Sequence, residues 1–240
     1  MNERAYIFDV DGTLTPSRQQ MNEEFRAWFI NWTKRENVFL VTGSDFPKTV
    51  EQTGEEICYN VKRVYNCSGN SVWEQCEEIY SNELELTEEA LNYLNSKLLE
   101  SEFNLRTGMH FEHRPGMTNF SIVGRNANLN ERAQYVTWDK KSNERSLIAE
   151  EFNKLFPEFQ AVVGGETGLD ISKLGYDKSQ IVWEFENYDI SFFGDRMEPG
   201  GNDYTLAEAI RNRSVYIGQY NDELFHVNSW ADTWSKLPRK

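Results

Sequence analysis

The 240-residue chain carries 39 acidic and 25 basic side chains, a formal net charge of −14. Such a field repels nucleic acid and anionic membrane surfaces. It repels phosphorylated ligands too, so a phosphate site has to be a local cluster of Arg, Lys and metal. A hydrophobic fraction of 39% with 14% aromatic residues excludes a disordered chain.

In chain order, residues 5–8 are a short apolar run that halts at Asp9. Residues 22–34 place Phe25, Trp28, Phe29 and Trp32 at helical spacing. Residues 38–41 form a second buried-strand run ending at Thr42, Gly43, Ser44 and Asp45, and residues 47–57 read as a helix. Val64 and Tyr65 make a third short strand, followed by a turn at 66–70. Residues 87–99 are helical, capped by Thr87, with Leu91, Leu94 and Leu98 on one face. Residues 111–125 alternate like strands broken at Pro115 and Gly116; 130–151 read as one helix, and 160–163 and 169–171 as short strands. Residues 190–193 are apolar and halt at Gly194 and Asp195, 199–202 make a loop, 203–210 a helix and 215–217 a last strand.

Short buried strands alternating with helices at both ends of the chain predict an α/β fold with a mostly parallel, doubly wound sheet. The mixed segment between them predicts an insertion: a core of residues 1–78 and 178–240, and an α/β cap over 79–177. Cys58, Cys67 and Cys76 fit neither a zinc spacing nor an even disulfide set and read as reduced thiols. His110, His113 and His226 are too scattered for a metal box. No signal peptide is expected before residue 5, and no apolar stretch approaches the ~20 residues that span a bilayer. A soluble, cytoplasmic protein is the expectation.

Ligands of doubly wound sheets bind outside the carboxyl ends of the strands. The residues there are Asp9, Thr42, Ser44, Asn66 and Asp195. A carboxylate at Asp9 can attack a phosphoryl group and become an aspartyl-phosphate. Asp11, two residues on and past the turn at Gly12, can protonate the leaving oxygen and later take a proton from the incoming hydroxyl. Phosphoryl transfer is mostly positioning and charge neutralisation, so a hard cation is needed; Asp9, the backbone carbonyl of Asp11, and Asp195 would hold Mg²⁺. Thr42 and Ser44 either hold the transferred oxygens or merely serve turn chemistry. Lys178 either offsets the charge of Asp9 or is simply solvated. The loop at Asn202 and Asp203 either orients metal-bound waters or starts a helix. In the cap, Arg125 shares strand parity with Asn119 and Ser121. Arg132 sits in the first turn of a helix, where a cation is unfavourable without an anion nearby. Arg114, Arg125 and Arg132 together suit phosphate capture, against the alternative of surface arginines with carboxylate neighbours.

These residues resemble the haloacid dehalogenase superfamily, whose signature is a strand followed by DxDGT. Within it, the chain is similar over nearly its whole length to eukaryotic-type phosphomannomutases. Residues 8–19 (FDVDGTLTPSRQ), 43–48 (GSDFPK), 114–125 (RPGMTNFSIVGR), 164–165 (GG), 175–178 (GYDK) and 192–203 (FFGDRMEPGGND) carry the likeness. It implies a Rossmann-like core with a cap that closes over the substrate. It implies Asp9 as nucleophile, Asp11 as general acid/base, Asp195 as metal ligand and Lys178 beside the aspartyl-phosphate. It also makes Arg18, Arg114, Arg125 and Arg132 ligands of the sugar phosphate and Asp170 a contact to sugar hydroxyls. Mannose 6-phosphate and mannose 1-phosphate would be interconverted, with a hexose 1,6-bisphosphate as activator and a homodimer through the cap. A sugar-phosphate phosphatase needs the same Asp pair and remains the alternative. A silent binding fold is the other class, although it would be expected to lose Asp9, Asp11, Lys178 or Asp195. Where the family usually reads SFDVFPxGWDK, residues 168–178 read GLDISKLGYDK, so Gly168 replaces a serine and Tyr176 a tryptophan.

Overall fold

The computed structural model describes residues 2–217 and 220–238. The chain opens with β1 (Glu3–Phe8), α1 (Glu23–Thr33), β2 (Asn37–Val41), α2 (Phe46–Thr53), α3 (Glu55–Asn60) and β3 (Arg63–Asn66). A hairpin follows, β4 (Ser71–Glu74) and β5 (Glu77–Ser81). Then come α4 (Glu88–Glu100), β6 (Phe111–Arg114), β7 (Met117–Phe120), α5 (Leu129–Ser142), α6 (Glu144–Leu155), β8 (Phe159–Gly164) and β9 (Gly168–Lys173). A 3-10 segment (Lys178–Phe185) leads to β10 (Tyr188–Gly194), α7 (Tyr204–Ile217), β11 (Glu223–His226) and α8 (Trp230–Lys236). Two compact units result, one of Met1–Ser81 with Gly175–Lys240, the other of Asn82–Leu174.

The first unit is built on a seven-stranded sheet in the order β11-β10-β1-β2-β3-β4-β5. The first four pairings are parallel and the last two antiparallel. Both faces are covered, so its parallel strands read as continuous apolar runs. On one face Phe8 meets Phe29 edge-on at 5.4 Å and stacks on Phe193 at 4.8 Å, with Trp32 closing the cluster. Fully burying each such ring is worth roughly 1.5–3 kcal/mol. The parallel register brings the carboxyl ends of β1, β2, β3 and β10 to the same edge of the sheet.

Several elements depart from the sequence expectation. The helix expected over 47–57 is two helices, α2 and α3, broken at Gly54, whose φ of 92° leaves the helical region and whose missing β-carbon makes room for the Arg26 guanidinium. The helix expected over 130–151 likewise breaks at Asn143, in the left-handed conformation at φ 55°. The strand expected at 215–217 is the last turn of α7, and the final strand is Glu223–His226.

The second unit has a four-stranded antiparallel sheet, β6-β7-β9-β8, packed against α4 and α6 through Leu94, Phe120, Phe152, Leu169 and Ile171. An Asn128 capping box with Glu131 starts α5. The alternation expected through 125 stops earlier, because β7 ends at Phe120 and residues 120–123 are all buried. Arg125 therefore shares no strand parity with Asn119. Among the described residues no helix is long and apolar enough to cross a membrane.

Candidate active site

Asp9 is the first residue past β1, and its backbone N–H donates to the Phe193 carbonyl at 3.0 Å, which ties it to β10. Its side chain is 1% exposed. Lys178, equally buried, donates from Nζ to Asp9 Oδ1 at 2.5 Å and to Asp203 Oδ1 at 2.7 Å. The second oxygen of Asp203 accepts the Arg196 backbone N–H at 3.1 Å. Ligand oxygens of Asp9, Asp195 and Asp203 lie within 4.8 Å of one another. Three carboxylates share one buried ammonium, so the cluster is short of positive charge.

The ionisation follows from that shortage. Burial pushes the Asp9 carboxyl up to about 7 against the pull of Lys178, and Asp203 and Asp195 add to the rise. Burial and then Asp203 raise Asp195 as well. Burial alone would lower Lys178, but Asp9 and Asp203 hold it above its ordinary value. Asp9 Oδ2 and Asp195 Oδ1 are buried acceptors with no hydrogen-bond partner among the described residues. Buried polar atoms are ordinarily paired. Two orphaned carboxylate oxygens in an electron-rich, all-oxygen cluster fit a hard divalent cation such as Mg²⁺.

The DxDGT turn is shaped by its neighbours. The backbone N–H groups of Leu14 and Thr15 both donate to the Val10 carbonyl at 3.0 Å, closing a tight loop. Gly12 sits at φ 84°, and a β-carbon there would lie 2.2 Å from Asp195 Oδ2. The glycine thus lets the second aspartate of the cluster approach the loop. Asp11 Oδ1 accepts the Arg18 backbone N–H at 2.6 Å and Gln52 Nε2 at 3.0 Å. Arg18 itself has φ 58° and an exposed side chain, so its contact with the site runs through the main chain.

Thr42 is buried and its Oγ1 accepts the Ser44 N–H at 3.1 Å. The Thr42 carbonyl accepts Ser68 N–H at 2.8 Å and the Ser44 carbonyl accepts Cys67 N–H at 2.9 Å. These bonds pin Cys67 and Ser68 at φ 48° and 59°, conformations that non-glycine residues hold only when their surroundings impose them. Asn202 is exposed, whereas Asp203 is fully buried within the carboxylate cluster.

In the second unit, Glu112, Asn119 and Asp170 stand opposite one another on adjacent strands and share one face. Glu112 holds two arginines: Arg114 donates to Oε1 from Nε at 3.0 Å and Nη2 at 2.8 Å, and Arg125 donates from Nε to Oε2. Burial pushes the Glu112 carboxyl up, but these guanidiniums outweigh it and hold it below its usual range. Asn119 Nδ2 donates to Asp170 Oδ1 at 2.6 Å. Arg132 is paired separately, with Glu166 at 3.2 Å. Arg114 and Arg125 are thus brought together, each with a carboxylate neighbour, and Arg132 has its own.

Sequence reasoning missed Gln52 and Glu112. Glu112 had a signal, since it lies two residues before Arg114 on the same strand face. Gln52 had none, being one polar residue in a stretch that reads only as a helix.

The sequence profile described as "Eukaryotic phosphomannomutase" matches residues 25–229. The phosphomannomutase of Saccharomyces cerevisiae is 34% identical over 215 residues, covering 85% of each chain. That of Spinacia oleracea is 30% identical over 209 residues, covering 83% of this chain and 84% of the other. In fold, the chain is similar to a trehalose-6-phosphate phosphatase from Aspergillus fumigatus (TM-score 0.57, 16% identity, 98% of this chain and 90% of that one). It is also similar to a haloacid dehalogenase-like hydrolase from Bacteroides thetaiotaomicron (TM-score 0.56, 14% identity, 86% and 85%). A Rossmann-like haloacid dehalogenase core with an inserted α/β cap accounts for both. On profile, identity and coverage, the chain belongs to the eukaryotic phosphomannomutase family.

Proposed function

We propose that this chain interconverts mannose 6-phosphate and mannose 1-phosphate through a phosphorylated Asp9. The observation that carries the reading is the buried Asp9–Lys178–Asp203 arrangement, with Asp9 Oδ2 left unpaired beside Asp195. Asp9 is the nucleophile, Lys178 steadies its charge, and Asp11 gives a proton to the leaving sugar oxygen and recovers it from the incoming hydroxyl. Asp9, Asp195 and the Asp11 carbonyl would hold Mg²⁺, with Asp203 and Asn202 behind them; when bound, the ion neutralises charge on the transferring phosphoryl group.

Thr42 and Ser44 supply hydroxyl and backbone donors to the phosphoryl oxygens. Arg18, Arg114, Arg125 and Arg132 take the phosphate that is not reacting, and Asn119 and Asp170 meet sugar hydroxyls. A mutase has to hold that second phosphate while the first reacts, and a pair of guanidiniums gathered on Glu112 supports this over hydrolysis. A hexose 1,6-bisphosphate activator, a cytoplasmic location and a homodimer through the second unit belong to the same reading through family likeness.

The test is incubation with Mg²⁺ and mannose 1-phosphate, with and without glucose 1,6-bisphosphate. Mannose 6-phosphate should appear, faster with the bisphosphate. Release of inorganic phosphate without isomerisation would replace the mutase by a phosphatase.

A further inference from the structure

Gln52 is 2% exposed, in the last turn of α2, and its amide nitrogen reaches two atoms of the DxDGT loop: Asp11 Oδ1 at 3.0 Å and Thr15 Oγ1 at 3.2 Å. The orientation of the amide follows from chemistry, because its oxygen turned toward a carboxylate would set acceptor against acceptor. The backbone of α2 is fastened to the same loop region, the Gln52 carbonyl accepting Met21 N–H at 2.8 Å. The other end of the amide is less well served: Gln52 Oε1 is buried with no hydrogen-bond partner among the described residues. A buried orphan acceptor is a standing cost to the fold, and a leucine of similar size would avoid it. The glutamine therefore has a use that packing does not explain.

Both donors that meet Asp11, the Gln52 amide and the Arg18 N–H, meet the same oxygen. Oδ1 is occupied, and Asp11 makes no hydrogen bond through Oδ2 among the described residues. We propose that Gln52 is a positioning residue for proton transfer: it fixes the Asp11 carboxyl so that the proton travels on Oδ2. This rests on Asp11 being the general acid/base. In the step concerned, an Asp9 oxygen forms a bond to phosphorus and the bond from phosphorus to the sugar oxygen breaks. The electron pair stays with the sugar oxygen, which takes the proton from Asp11 Oδ2. A carboxyl free to rotate would offer that proton in the wrong direction for much of the time, and misplacement of a reacting group costs rate even where the group itself is intact.

A poor leaving group needs the proton and a good one does not, which separates positioning from general support of the fold. The measurement is the single-turnover rate of Asp9 phosphorylation with Mg²⁺ by a hexose 1,6-bisphosphate, whose leaving group is an alkoxide, and by acetyl phosphate, whose leaving group is a carboxylate. Gln52→Leu should slow the sugar reaction about 10- to 100-fold. It should slow the acetyl phosphate reaction no more than about 3-fold, within the ordinary effect of a neighbouring substitution, with KM for the bisphosphate near that of the parent. Gln52→Met, unbranched like the native side chain, replaces it should Gln52→Leu fail to fold by circular dichroism. Asp11→Asn is the reference and should show the same selectivity, more strongly. If Gln52→Leu slows both donors equally, or neither, while Asp11→Asn is selective, Gln52 is not the positioning residue. If Asp11→Asn is itself unselective, the assignment of Asp11 fails, and this proposal with it.

Discussion

The carboxylate of Asp195 fills the space where Gly12 would carry a side chain, its Oδ2 lying 2.2 Å from the position of a β-carbon. A loop that follows β1 and a residue that follows β10 are thereby packed into one cluster, although 183 positions separate them in the sequence (195 − 12). Gly12→Ala should therefore do two things at once. It forces a β-carbon into φ 84°, and it pushes Asp195 away from Asp9. The strain is of order 1–3 kcal/mol. Thermal melts should show that loss, and the apparent affinity for Mg²⁺, measured by titration of the Tm, should weaken at least about 10-fold, or roughly 1.4 kcal/mol. A lower Tm with unchanged Mg²⁺ dependence would separate Asp195 from the metal.

Lys178 is the only positive side chain that donates to Asp9 or Asp203 among the described residues. Truncation in Lys178→Met leaves buried carboxylates unpaired, a change that costs about 3–5 kcal/mol in comparable settings. The loss should be larger at pH 8 than at pH 5. Without the ammonium the carboxyls bind protons more tightly folded than unfolded, so stability falls as pH rises. A loss that is equal at both pH values would count against the buried triad.

The intact protein should show a milder form of the same trend. Asp9 has an ordinary value of 3.8 and a folded value raised by burial to about 7. Between these, the folded chain holds a proton that the unfolded chain has released, so stability declines as pH climbs from about 4 to about 7 and then levels. Asp195 is raised too and acts in the same direction. Glu112, Asp189 and Asp232 are lowered, so their contribution is lost only in more acid solution. In chelator, the Tm should fall from pH 5 to pH 8, and Asp9→Asn should flatten the fall. Mg²⁺ held at Asp9 as proposed would compete with the proton there, so it should raise the Tm more at pH 8 than at pH 5. A Tm that climbs over this range, with Asp9→Asn following the parent, would contradict the assignment.

What could be read from the sequence was whatever depended on short range. Apolar runs that switch abruptly to Asp9, Thr42 or Asp195 marked both the strands and the polar residues at their carboxyl ends, because burial of a parallel strand is written in consecutive residues. Features set by distant partners were invisible. The β4–β5 hairpin turns through Gln75 and Cys76 at φ 48° and 65°, without the glycine or asparagine that usually announces such a turn. Val215 and Ile217 are β-branched and imitate a strand, yet they end α7. Gln52 became informative only once a helix placed it against Asp11. Arg125 was placed by parity on a strand that stops at Phe120, and it reaches the shared face through Glu112 instead.

Gly168 is one of the two positions, with Tyr176, where the sequence is expected to depart from the family pattern, and the structure gives this one a consequence. A β-carbon there would lie 2.4 Å from Asn119 Nδ2 and 2.6 Å from its Oδ1. No left-handed backbone is involved, so the conflict is between side chains alone. Asn119 occupies the vacant volume, directs Nδ2 to Asp170 Oδ1 at 2.6 Å, and keeps Oδ1 buried without a partner among the described residues. Gly168→Ser should displace Asn119 and break its bond to Asp170. The expected result is a KM for mannose 1-phosphate raised about 5- to 10-fold, equivalent to roughly 1–1.4 kcal/mol of binding, with kcat little altered. Asn119→Ala removes the bond to Asp170 and clears the space the serine needs, so Gly168→Ser should add little further loss in the Asn119→Ala background, a non-additivity expected only of residues in contact. Strictly additive effects would mean that Gly168 and Asn119 act independently, and that sugar selectivity is set elsewhere.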